Sequence, residues 1–222
     1  MEKATIVMLL LVVVAFAVSF YFYPNMPEKM ASHWNAKGEV DGYMSRFWGT
    51  FMMPLINLGL LGLFLVIPKI DPLKRNYPAF KKYYYGLVLI ILVFMLYIHM
   101  VSIIANLGYI FNMSYAVLFP IAFLFLFIGY AMPNIKRNWF MGIRTPWTLS
   151  SDKVWKKTHK IGGFLFLAYG VFLIAMLLFY EIVVDYFFWI IIGPILFLVT
   201  FTLVYSYYIY FQEEKKKRGV KK

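Results

Sequence analysis

The chain has 222 residues, 63% hydrophobic and 14% charged, with a formal net charge of +12 and a mean hydropathy of +0.73. Ordinary soluble domains carry about 25% charged residues, so this composition excludes a soluble globular chain, which would lack the polar surface to cover so much apolar material. Cysteine is absent, which excludes disulfides, thiolate catalysis and cysteine-based metal sites.

A spanning helix needs about 20 mostly apolar residues. Six continuous runs qualify, over 4–23, 49–67, 86–107, 115–133, 163–184 and 187–210. Barrel strands would be short and alternating instead. Lys3 precedes the first run and Ala15-Phe16-Ala17 imitates a signal-peptide cleavage site, yet the apolar stretch continues to Tyr23. That length favours an uncleaved anchor. The expected fold is all-α: a polytopic integral membrane protein built as a six-transmembrane-helix bundle. It divides into a first hairpin, 1–67, with an outer loop at 24–48, and a second, 68–133, with a basic linker at 68–85. A third, 134–210, opens on a loop at 134–162, and a basic tail follows at 211–222.

Of the 22 lysines and arginines, only Lys29, Lys37 and Arg46 fall on one side of these spans; the other 19 lie at the N-terminus, the linker, the 134–162 loop and the tail. The bias of positive charge toward the cytoplasm places both termini there, in a multi-pass cell-membrane protein. Five of the ten acids, Glu28, Glu39, Asp41, Glu181 and Asp185, fall on the outer side. Because the positive charge flanks the apolar runs, it points to anionic inner-leaflet lipids as partners and not to direct nucleic-acid binding.

In the outer loop, Pro27 and Glu28 suit the first turn of a short helix, which would set Met26, Met30 and Trp34 on one membrane-facing side. Asn35 to Gly38 and Asp41-Gly42 carry turn chemistry. His33, Asn35, Glu39 and Asp41 do not match a known metal-ligand spacing, so turn-stabilising hydrogen bonds are the favoured reading and no metal is expected.

Within the spans, His99, Ser102 and Asn106 share one face of the third helix. Asn57 on the second span falls at a similar expected depth, so Asn57 and His99 could meet. Interhelical hydrogen bonding is the favoured role for this polar face. Pro54, Pro120 and Pro194 lie near the outer ends of their spans, and kinks there would open an outward vestibule lined by Asn57, His99 and Ser102.

The most distinctive stretch is 134–162, NIKRNWFMGIRTPWTLSSDKVWKKTHKIG. Gly142, Thr145, Pro146 and Trp147 punctuate an irregular entry. Thr148, Ser150 or Ser151 can cap a helix with Asp152 in its first turn. Val154, Trp155, Thr158 and Ile161 then form one face, with lysines around the rest, as an interfacial helix would have. Gly162 and Gly163 are expected to break that helix before the fifth span. The tail from Glu213 reads as a frayed end that binds anionic lipid. A weak internal echo links Lys74-Arg75-Asn76 with Lys136-Arg137-Asn138.

The segment from Asn138 to Gly162 resembles the signature of the SdpI family of bacterial and archaeal membrane proteins. The residues that carry it are Asn138, Gly142, Ile143, Arg144, Thr145, Pro146, Trp147, Thr148, Leu149, Ser150, Val154, Trp155, Thr158, His159 and Gly162. The outer loop is similar to the small domain that often precedes this signature, through Tyr23-Pro24, Pro27, His33-Trp34-Asn35, Gly38, Asp41-Gly42 and Ser45.

The resemblance implies immunity to a secreted, membrane-active toxic peptide, without enzymatic chemistry, catalytic residues or cofactors. The family's founding member also signals by holding a DNA-binding repressor at the membrane, and the resemblance does not by itself give this chain that toxin or that repressor. The outer loop residues Pro27, His33, Trp34, Asn35, Gly38 and Asp41 would then meet the toxin. Asn138, Gly142, Arg144, Thr145, Pro146, Trp147, Thr148, Trp155, Thr158 and His159 would meet the cytoplasmic partner. The rival class is a small-molecule transporter or exporter that uses the face of Asn57, His99, Ser102 and Asn106 as a polar path. A membrane enzyme, using Arg144 and His159, ranks below both because His159 belongs to no nucleophilic or metal constellation.

Overall fold

The computed structural model describes residues 3–35, 37–179 and 186–220. Ala36 of the outer turn, Glu181, Asp185, Lys221 and Lys222 lie outside the described residues. The long helices are α1 (Lys3–Phe22), α2 (Arg46–Ile70), α3 (Lys81–Asn106), α4 (Met113–Ala131), α6 (Asp152–Leu178) and α7 (Phe187–Val220). Six helices are long and apolar enough to cross a membrane, as the six runs require. A five-residue helix, α5 (Pro146–Ser150), precedes α6.

The helices bury polar groups beside an apolar core and turn many of their large apolar side chains outward. Ser19, Thr50, Asn57, His99, Thr158, Thr202 and Ser206 are buried, whereas Leu10, Val13, Leu63, Phe119, Phe164 and Phe197 are exposed. In lipid no hydrophobic force drives helices together, so close packing and hydrogen bonds must do so. One core joins α1, α2 and α3 through Met8, Val12, Leu61, Val88 and Leu92, and reaches Ile135, Met141 and Trp155 beyond α4. A second joins α4, α6 and α7 through Leu118, Ala122, Tyr169, Leu173 and Leu198. Tyrosine hydroxyls stitch neighbouring helices at backbone carbonyls: Tyr84 to Phe64, Tyr97 to Ala116 and Tyr169 to Ile191.

The outer loop is not helical. It forms an antiparallel hairpin of β1 (Lys29–Trp34) and β2 (Val40–Ser45), and Met26 and Met30 pack on Val18, Phe22, Ile103 and Leu107 instead of facing lipid. Asn106 explains the extended backbone. Its carboxamide accepts from Ala31 N at 2.7 Å and donates to Ala31 O at 3.0 Å, acting as one more strand partner. Only an extended residue presents both groups to one neighbour. The expected turn is present, with Gly38 N donating to Asn35 O and Gly38 at φ +83°.

Asn57 and His99 do not meet as expected. The second helix begins at Arg46, three residues before the apolar run, so Asn57 lies eleven residues in, about 16 Å, while His99 is seven residues, about 10 Å, from the end of α3. Asn57 instead donates to Leu92 O at 3.4 Å. His99 Nε2 lies 3.0 Å from Ser19 Oγ, whose own hydrogen goes to Thr50 O at 2.8 Å. The imidazole is therefore the donor in that contact. Both side chains are 1% exposed, held between helices and not on the wall of a vestibule.

Gly162 and Gly163 do not break α6, which runs without interruption from Asp152 to Leu178. They are places of close approach. A Cβ at Gly163 would stand 2.9 Å from Gly129 O, and one at Gly129 would stand 2.6 Å from Leu167 N. We expect Gly129→Ala to destabilise the bundle by about 1–3 kcal/mol, the usual cost of overpacking. Gly59→Ala, where nothing lies within 4 Å of an added Cβ, should hold or slightly raise the thermal midpoint in detergent, because alanine is the better helix former. Equal midpoints for the two variants would contradict this packing.

Candidate functional site

The signature residues converge where the 135–145 segment meets α5, α6 and α7. Asn138 starts the fold of this segment. Its Oδ1 accepts from Phe140 N at 2.9 Å and Met141 N at 2.6 Å, and its Nδ2 donates to the carbonyls of Lys136 and Met141. One carboxamide thus closes the turn from both sides, as Asx side chains do in loops. Gly142 follows at φ +108°, and a Cβ there would collide with the His159 ring. Both the backbone angle and the space demand glycine.

His159 is fully buried. Its Nε2 accepts from Ile143 N at 3.1 Å and its Nδ1 lies 2.8 Å from Trp155 O, one turn back. These partners fix a neutral imidazole with its hydrogen on Nδ1. The ring stacks on Trp155 at 3.9 Å between centroids, and Trp155 Nε1 donates to Ile135 O at 2.8 Å. Thr158 is also fully buried. The face of Val154, Trp155 and Thr158 therefore packs inside the protein and does not lie on the bilayer surface.

Thr145 caps α5. It accepts from Thr148 N at 3.1 Å, while Thr145 N donates to Thr148 Oγ1 at 2.8 Å. This reciprocal pairing satisfies two orphan donors at the helix start, and Pro146 suits the first position. Thr148 Oγ1 also reaches Ile143 O, and Thr145 Oγ1 lies 3.0 Å from Ser206 Oγ of α7. Trp147 packs on Tyr207. Arg144 is exposed, with Nη1 donating to Trp139 O at 2.7 Å.

Sequence reasoning missed Asp71, Asn76, Ser206 and Glu213. Asp71 is 1% exposed and receives Leu73 N at 2.6 Å, Trp139 N at 2.9 Å and Tyr77 OH at 3.2 Å, binding the linker to the signature segment. Burial first, and then the Asp71 carboxylate, push the Tyr77 phenol well above its ordinary range. Asp71 was detectable as the lone acid of 68–85, directly before a proline. Asn76 donates to Arg137 O at 2.7 Å, so the two segments of the internal echo touch. Glu213 is not on a frayed tail: α7 continues past it, and its carboxylate takes Ser151 Oγ at 2.9 Å and Lys153 Nζ at 3.3 Å.

The outer candidates form a separate group on the hairpin. His33 Nδ1 pairs with Asp41 Oδ1, and Asn35 bonds Glu39 Oε2 and the backbone of Lys37 and Glu39. These are hydrogen bonds that hold the turn. Pro27 precedes the same hairpin, and Trp34 ends β1 opposite Val40. It stands at the opposite ends of α1, α2 and α3 from the signature segment.

Residues 134–206 match the SdpI/YfhL protein family, and residues 10–58 match a domain of unknown function, DUF1648. Among curated proteins, the Immunity protein SdpI of Bacillus subtilis (strain 168) is 25% identical over 208 residues, covering 94% of this chain and 96% of that one. No solved structure matches. The resemblance to the SdpI family thus holds over the 138–162 segment, and the outer hairpin lies within the match to DUF1648.

Asp71→Ala should loosen the linker and the signature segment together, because each buried donor left unpaired costs about 1–3 kcal/mol. We expect a lower thermal midpoint and faster proteolytic cleavage within 135–151, with Asp71→Asn intermediate. Unchanged cleavage in Asp71→Ala would show that the carboxylate does not hold the segment.

Proposed function

We propose that this chain is a membrane immunity protein that protects the cell making it from a secreted, membrane-active toxic peptide. The observation that carries the reading is the match to a curated immunity protein over 94% of this chain and 96% of that one. The 19 to 3 division of the 22 lysines and arginines supports placing the signature segment, the linker and both termini in the cytoplasm, and the hairpin outside. On that orientation the hairpin residues Pro27, His33, Trp34, Asn35, Gly38 and Asp41 meet the toxin.

The signature segment is the cytoplasmic output, a preformed surface for a protein partner such as a repressor. Trp139 at 49% and Phe140 at 37% exposure, with Arg144 and Pro146 beside them, supply its apolar and cationic contacts. The action is non-enzymatic. Both nitrogens of His159 are occupied by backbone groups, and Thr145 and Thr148 are occupied by each other. A transport role has less support, since His99 and Asn106 bond to Ser19 and Ala31 within the bundle.

A sensitive cell expressing the chain should survive challenge with the toxic peptide of the SdpI family. His33→Ala should weaken protection from the outside, and Arg144→Ala should abolish partner recruitment. Sensitivity equal to that of cells lacking the protein, despite normal membrane insertion, would remove this peptide as the ligand. The cysteine-free sequence permits a direct test of orientation. Lys37→Cys in intact cells should react with an impermeant maleimide and Lys157→Cys should not; the reverse labelling would invert the topology.

A further inference from the structure

Beside the signature segment lies a cavity of about 350 Å³ that the immunity reading does not use. It is walled by Arg75 and Asn76 of the linker, by Pro133, Ile135, Lys136 and Arg137, and by Asp152, Trp155 and Lys156 from the first turns of α6. We propose that this cavity is a binding site for a phosphate group, filled in the membrane by an anionic phospholipid headgroup.

Charge is the first argument. Four cations and one carboxylate face the cavity. Asp152 Oδ1 lies 2.9 Å from Arg137 Nε, which leaves Arg75, Lys136 and Lys156 exposed and without an acid partner among the described residues. Three uncompensated positive charges around one small cavity suit a multiply hydrogen-bonding anion.

The second argument is construction. Asn76 Nδ2 holds Arg137 O at 2.7 Å, Arg137 Nη1 holds Leu149 O at 2.8 Å and Trp155 Nε1 holds Ile135 O at 2.8 Å. These bonds fasten the three walls to one another, so the site is preorganised and little ordering cost falls on binding. A patch of solvated surface lysines has no such framework.

The third argument is position. Met132–Asn134 is the turn that ends the fourth span, and Lys156 lies in the second turn of α6, before its apolar stretch. Helix ends just outside the apolar spans are where lipid headgroups are expected. Basic pockets between helix ends on the positive side of a membrane protein take such headgroups, and Pro133, Ile135 and Trp155 offer apolar contact to the glycerol beneath one. Asp152 acts as the resident competitor for Arg137, so an arriving phosphate exchanges with a carboxylate and displaces no buried group.

The test is calorimetric titration of the full-length protein in non-ionic detergent with dihexanoyl phosphatidic acid, dihexanoyl phosphatidylcholine and inorganic phosphate. We expect saturable binding of phosphatidic acid at one site and little of the zwitterionic lipid. Lys136→Gln and Lys156→Gln should each weaken binding about fivefold, the effect of about one elementary charge near an anionic headgroup. Asp152→Asn should tighten it by a similar factor, a gain that loss of fold cannot mimic. Inorganic phosphate binding with the same affinity and the same response to these variants would support the site and make free phosphate esters its source. Binding that ignores all three variants but falls when Lys215, Lys216 and Lys217 become glutamine would overturn the proposal in favour of the tail. Absence of saturable binding of either anion would also overturn it.

Discussion

At the edge of a bilayer an irregular backbone must find partners for its own amides, because neither lipid nor a regular ladder will supply them. The 135–145 segment faces this demand beside two spanning helices. His159 answers it at the centre, since one imidazole accepts the Ile143 amide, bonds the Trp155 carbonyl and stacks on the Trp155 ring. Trp155 in turn fixes Ile135 at the start of the segment. Gly142 has to be glycine because of that ring, and Thr148 can reach Ile143 O because the ring has placed Ile143. Protonating or removing the imidazole would disturb each of these contacts together.

The same demand, met elsewhere by other side chains, gives the molecule two built ends. On the hairpin end Asn106 serves as a strand partner for Ala31. On the other end Asn138 and Asp71 gather the amides of Phe140, Met141, Leu73 and Trp139. Polar side chains in this protein are mostly occupied with backbone, which is the economical arrangement where water is scarce. What remains outward on the signature segment is a mix of aromatic rings and cations on a rigid base.

The spans were legible because long apolar runs have few alternative explanations in any solvent. The signature loop was legible as a motif, and the start of α6 could be read from Ser151 and Asp152, whereas Thr145, Pro146 and Trp147, read as an irregular entry, open the short helix α5. Three features escaped, each for a physical reason. The hairpin depends on Asn106, 75 residues from Ala31, and local turn signals alone could not reject a helix from Pro27. Gly162 and Gly163 read as breakers because helix propensity penalises glycine, but Gly162 packs close to Ile143 and Met132 and Gly163 close to Gly129 and Pro133, where a side chain would not fit. The Asn57 to His99 distance failed because apolar runs mark lipid thickness and not helix ends, and α2 starts three residues before its apolar run.

The two bonds that α7 makes to the region around α5 lie at Ser206 and Glu213, seven residues apart and so on one side of the helix. They work like a key in a slot. Turning α7 by a single residue, about 100°, would carry both groups away from Thr145 and Ser151 at once, whereas tilting it with its neighbours strains neither. The rotational setting of the last helix is thereby tied to the threshold of the signature segment.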